Sequence, residues 1–125
     1  MSMDKSTVLN ASLALERLGG DTEIYDSLRK TFLEVYADDI EKSLKPVFSL
    51  PVSELFSDAE AAHVTHQLKG AALSIGAEKL GNLASEINNL LREQHTSTEQ
   101  LIEQLTAMLN DLRKYYAQTR AALQA

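Results

Sequence analysis

The sequence predicts an all-α fold, an antiparallel up-down four-helix bundle with an additional short N-terminal helix. Three observations carry it. Apolar residues recur every three or four positions through four long stretches, no strand-like alternation interrupts them, and capping residues or glycines punctuate their ends. Long amphipathic helices joined by short loops pack most simply as up-and-down neighbours.

The elements follow in order. Asn10 is placed to cap a short helix running to about Leu18, and the Gly19-Gly20 break hands over to Asp21 as the cap of a second, longer helix. From there Ile24, Tyr25, Leu28, Phe32, Val35, Tyr36 and Ile40 keep helical spacing. Leu44 then precedes Pro46, which is expected to end or kink this helix near Lys45. Leu50-Pro51-Val52-Ser53 reads as connector, and the charge run Asp38-Asp39-Ile40-Glu41-Lys42 as a solvated face.

The next helix is expected over Ser57 to Ile75, opened by a capping box of Ser57 with Glu60 and closed by Gly76 in the left-handed conformation. A tight turn leads into Glu78 to Glu93, with Leu80, Leu83, Ala84, Ile87, Leu90 and Leu91 facing inward and Gly81, Asn88 and Arg92 on one flank. Gln94 to Ser97 forms a polar hinge. Thr96 with Glu99 offers a capping box for the last helix, whose buried set is Leu101, Leu105, Met108, Leu112, Tyr115 and Tyr116.

Composition bounds the rest. A chain of 125 residues with 44% hydrophobic and 24% charged residues has the size and make-up of one soluble globular domain. Zero cysteines exclude disulfides and Cys-ligated metal centres, and fit a reducing compartment. Met1-Ser2-Met3-Asp4-Lys5 lacks the apolar core of a secretory signal, and no run reaches the length needed to span a bilayer, so a cytoplasmic location is expected. The net charge of −6, with no basic stripe, argues against nucleic-acid binding.

The chemistry concentrates in His66-Gln67-Leu68-Lys69-Gly70, followed by Ala71-Ala72-Leu73-Ser74-Ile75-Gly76-Ala77. On a helix advancing about 100° per residue, Ala61, Val64, Leu68, Ala71, Ala72 and Ile75 gather on one side, with His66 roughly 170° from the centre of that stripe. His66 therefore points away from the helix's main core face. Around it come Ala62, Lys69, Gly70 and Leu73, a small-sided and partly apolar surface on which another molecule can dock. Gly70 costs roughly 1 kcal/mol relative to alanine inside a helix, so it needs a reason. Either a partner approaches the imidazole closely there, which its place on the His66 side favours, or a neighbouring helix of the same chain crosses at that point.

These residues resemble the histidine-containing phosphotransfer (HPt) family, whose pattern reads here as His66, Leu68, Lys69, Gly70, Ala71, Ala72, Ile75, Gly76 and Ala77, with Leu80 and Leu83-Ala84 downstream. Upstream, Leu15 to Tyr25 with Leu18-Gly19-Gly20-Asp21, and then Phe32, resembles the family's first two helices, so a single HPt-like domain over 1–125 is expected. The resemblance implies a phosphorelay intermediate of a two-component system, with His66 as the phosphorylated nucleophile. It implies a phosphocarrier, not an enzyme. At the position on the next helix where the family often carries Glu or Gln, this sequence has Asn88, which can accept a hydrogen bond and orient the imidazole with a shorter reach. Arg92 matches a position that is basic in some members, and joins Lys69 as a candidate for offsetting phosphate charge.

By the same resemblance the partners are response-regulator receiver domains and a hybrid sensor histidine kinase, and the protein works as a monomer. No cofactor is expected on the chain itself, since Mg²⁺ belongs to the receiver. The absence of a Gly-rich phosphate loop or Walker-type Gly-Lys-Ser/Thr agrees with a carrier that does not phosphorylate itself. An imidazole at neutral pH is largely uncharged and keeps one lone pair, so it can attack phosphorus and later pass the group to a carboxylate. Ala62, His63 and Leu73 are the expected docking contacts.

Glu60-x-x-His63 is half of a di-iron signature, but a second Glu-x-x-His is missing, so no metal site is expected. His95 falls in the hinge and reads as loop. The competing function is a receiver-binding module that uses the same surface without being phosphorylated.

Overall fold

A computed structural model describes residues 7–124, so the Met1-Ser2-Met3-Asp4-Lys5 reading lies outside the described residues. The first two elements form where the caps predict. Asn10 Oδ1 accepts from Leu13 N at the start of α1 (Ala11–Arg17), and Asp21 Oδ1 accepts from Glu23 and Ile24 N at the start of α2 (Thr22–Val35). Between them Gly19 and Gly20 take φ of 71° and 82°, a left-handed turn that glycine enters without a Cβ penalty.

The second helix is shorter than its apolar spacing predicts. It ends at Val35, ten residues ahead of the expected stop, and three single-turn helices follow: α3 (Ile40–Ser43), α4 (Lys45–Phe48) and α5 (Val52–Leu55). The physical reason lies on the far side of the bundle. Arg120 donates through Nη1 to the carbonyls of Leu33 and Tyr36, closing the helix end, and through Nε to Asp38 Oδ1 at 3.0 Å. Tyr116 Oη reaches the Ala37 carbonyl and Ser43 Oγ. Asp39 then caps α3 through Glu41 N, and Glu41 pairs with Arg113 at 3.2 Å. The acidic run expected to be a plain solvated face is thus a connection held at three points. Pro46 sits in the first turn of α4, where a missing N–H costs nothing, and the expected connector at Val52 is helical.

The remaining elements are α6 (Ala59–Ser74), α7 (Glu78–Glu93) and α8 (Glu99–Gln124). Two caps move by a residue or two. Asp58, not Ser57, accepts from Glu60 N at the start of α6, while Ser57 Oγ donates to the Glu54 carbonyl. Thr98, not Thr96, accepts from Leu101 N in the first turn of α8. Gly76 takes φ of 83° between α6 and α7, and a Cβ there would meet Asn10 O at 2.2 Å, because Asn10 N donates to the Gly76 carbonyl at 2.7 Å.

The four long helices α2, α6, α7 and α8 make the bundle, with α1 as the short addition; among the described residues there is no strand. Ala61, Leu68 and Ala72 of α6, with Ile75 at its C-cap, meet Leu80, Ala84, Ile87 and Leu91 of α7 in one core with Leu105, Leu112 and Tyr116 of α8. Leu109, Thr119, Arg120 and Leu123 are also buried. On α2 the pattern overstates burial, since Ile24 and Val35 are 46% and 60% exposed. No helix of the described residues is long and apolar enough to cross a membrane.

Candidate functional site

Two buried residues, Asn88 and Thr65, and the partly covered Ala62 set the footing of His66. Asn88 of α7, 4% exposed, donates from Nδ2 to the Ala62 carbonyl at 2.6 Å and to Thr65 Oγ1 at 3.1 Å. Thr65 lies fully inside and donates through Oγ1 toward the carbonyls of Ala61 and Ala62. Ala62 is one turn before His66, so its carbonyl belongs to the turn from which the histidine projects. Buried donors left unpaired cost about 1–3 kcal/mol each, and here the amide hydrogens of Asn88 are both used.

The nitrogen end of Asn88 is thereby committed: both of its N–H groups are turned into the α6 backbone and Thr65, and among the described residues no hydrogen bond joins the side chain to the imidazole. A short amide on a fully packed face finds the nearest acceptor, which is a backbone carbonyl. Thr65, directly before His66, belongs to no motif of the sequence. Its position on the α7 flank, beside the apolar stripe, is the signal that a hydroxyl there must find a partner inside.

His66 itself is exposed, as are His63, Gln67 and Gly70, while Lys69, Ala62 and Leu73 are partly covered. His66 thus stands on the open side of α6, with Lys69 one turn further along. A Cβ added at Gly70 meets nothing within 4 Å, so among the described residues no neighbouring helix crosses there. The close crossing occurs instead at Gly81 of α7, where a Cβ would fall 2.5 Å from Leu73 Cδ2 and 3.3 Å from Leu73 N. Leu73 accordingly folds its side chain toward α7, and only part of it faces outward.

Arg92 is exposed near the end of α7 and lines a shallow hollow of about 280 Å³ with Ala59, Ala62, Leu91 and His95. It borders the Ala62 end of the site. On the opposite side of α6, Leu28, Phe32 and Val35 of α2 line an apolar groove of about 240 Å³ together with Gln67, Ala71 and Ile75. Among the described residues no group of three or more His, Cys, Asp or Glu side chains is placed to hold a metal ion.

The arrangement offers an accessible imidazole on a braced helix, a lysine one turn away, and a glycine that leaves the neighbouring surface open. Such a site can accept a small anionic group in line from solvent or from a docked partner. Among the described residues none of the hollows described above is lined by His66, so exclusion of water there would fall to a docked partner.

A family model described as Hpt domain matches residues 27–115, a span that contains the helix bearing His66 and the whole of the one bracing it. Neither a curated protein nor a solved structure gives a match.

Proposed function

The chain belongs to the Hpt domain family, whose members serve histidine phosphotransfer in two-component signalling, and from that premise we propose that His66 carries a phosphoryl group between receiver-domain aspartates. The observation that supports it is the exposure of His66 midway along a helix braced by Asn88, with Lys69 beside it and open space at Gly70.

The step is a simple exchange. The imidazole Nε2 lone pair attacks the phosphorus of a receiver's aspartyl phosphate, the P–O bond to the aspartate breaks, and the carboxylate leaves with the electron pair. The Nδ1 proton is shed to solvent, giving a phosphoramidate; when a second receiver's carboxylate attacks, Nδ1 takes a proton back from solvent as the P–N bond breaks, so that neutral imidazole leaves with the electron pair. Phosphoryl transfer asks mainly for positioning and charge neutralisation. Lys69 offsets charge on the phosphoryl oxygens, with Arg92 at the far edge, while the receiver brings Mg²⁺. Ala62, His63 and the outward part of Leu73 form the landing surface, and Gly70 lets the receiver backbone come close. The upstream donor is the receiver of a hybrid sensor kinase, and the carrier needs no nucleotide of its own.

Incubation with a receiver phosphorylated by acetyl phosphate tests this. The expected result is acid-labile phosphate on the wild type and none on His66→Gln. Undiminished labelling of His66→Gln would sink the assignment, and receiver binding without any labelling would leave only a docking module.

A further inference from the structure

We propose that His63 is a second phosphate-binding residue, donating an N–H to the phosphoryl group on His66 from the side opposite Lys69; this rests on the phosphocarrier reading of His66. The helix itself provides the placement. His63, His66 and Lys69 follow one another at three-residue intervals on α6, so their Cβ atoms are about 5–6 Å apart in sequence order. Viewed down the axis, His63 and Lys69 stand about 60° to either side of His66. His63 lies on the flank of Gly70, the one where a Cβ meets nothing.

The ring is uncommitted. His63 is exposed, and among the described residues it forms no hydrogen bond or ion pair, even with Glu60 one turn earlier. Within one turn of His66 on α6 the ionisable side chains are His63 and Lys69 alone, in a chain whose net charge is −6. An imidazole carries at least one N–H donor in either protonation state, so the contact needs no change of state to form. A phosphoryl group bonded to His66 has three oxygens, and a donor on each side holds them without help from a receiver.

The test uses phosphoramidate, a small donor that requires no docking partner. Its P–N bond breaks as the bond to His66 Nε2 forms, and the imidazole Nδ1 proton ends on the departing ammonia as ammonium. Labelling of the full chain is followed by NMR, which separates His66 from His63 and His95. His63→Leu is expected to slow labelling of His66 about two- to fivefold, the range of an exposed charge-assisted contact. His63→Lys is expected to match or exceed the wild type, and the gap between Leu and Lys should shrink between about 20 mM and about 500 mM salt.

Equal labelling of wild type and His63→Leu overturns the inference, as does failure of His63→Lys to restore the rate or phosphate found on His63 itself. An unlabelled His66 in the wild type, under conditions that label free imidazole, overturns the phosphocarrier reading along with it.

Discussion

Asn88 and Ala62 are joined across the α6/α7 contact by a 2.6 Å hydrogen bond in which a side-chain amide donates to a backbone carbonyl. The bond ties the turn that carries His66 to the neighbouring helix, from a buried side chain to a partly covered carbonyl. The amide nitrogen of Asn88 thus acts on the platform from which the imidazole projects.

Replacing Asn88 with Asp tests that geometry. An ionised carboxylate has no donor for the Ala62 carbonyl, and the two oxygens would repel in a buried setting. The cost expected at pH 7 is about 2–3 kcal/mol in urea unfolding. Burial raises the folded-state pKa of such a group above the unfolded value, so its protonated form is favoured in the native state and the deficit should narrow as pH falls toward about 5. A deficit independent of pH would mean the loss comes from packing alone.

The two helical glycines near the site are expected to respond in opposite ways. Gly70→Ala places a methyl in open space and should stabilise the bundle by about 1 kcal/mol through helix propensity. It should also slow transfer from a phosphorylated receiver several-fold while leaving phosphoramidate labelling nearly unchanged. Gly81→Ala drives a methyl into Leu73, and the expected overpacking penalty of about 1–3 kcal/mol outweighs the propensity gain. Thermal melts of the pair give the comparison directly.

Arg120 and Asp38 form an ion pair whose halves differ in importance. The Arg120 side chain is 10% exposed and that of Asp38 is 91% exposed. Arg120→Met should cost about 2–4 kcal/mol, because the carbonyls of Leu33 and Tyr36 lose their donor. Asp38→Asn should cost less than about 1 kcal/mol, as for other solvent-facing partners. Chemical denaturation that ranks the two alike would show that the ion pair, not the helix end, is what Arg120 serves.

Burial raises the pKa of the Tyr116 hydroxyl from its ordinary value of 10.0, against the opposing pull of its bond with Ser43 and the nearby Arg120. Tyr25 and Tyr36 are raised by burial as well, with Arg29 opposing at Tyr25. A group whose folded pKa lies above the unfolded one holds its full stabilisation below the unfolded value and loses it as pH rises through the folded value. Stability should therefore decline above about pH 10. Tyr116→Phe should lose about 1 kcal/mol at pH 7, from the bonds to Ala37 and Ser43, and then show a shallower alkaline decline.

Much of this architecture is written in local signals. Gly19, Gly20 and Gly76 announce their turns because positive φ is a single-residue property, and the wheel of α6 places His66 outward because periodicity depends only on neighbours in sequence. What could not be read locally was long-range. The end of α2 is fixed by Arg120 and Tyr116, some eighty residues away, against an apolar spacing that runs on through Tyr36 to Ile40. Arg120 did carry a trace, as a charge four residues after Tyr116 on the buried side of α8. Asn88 was placed on the correct helix, but which acceptor a buried amide chooses depends on the packed interface.

The crossing of Leu73 over Gly81 gives α6 its low relief beyond the histidine. A bulky side chain that would otherwise stand out beside the histidine is drawn into a notch on the adjacent helix. On the proposed reading of His66, the contour offered to a receiver would be moulded in part by a glycine of the helix behind, and selectivity among receivers would be open to change from beneath the docking surface.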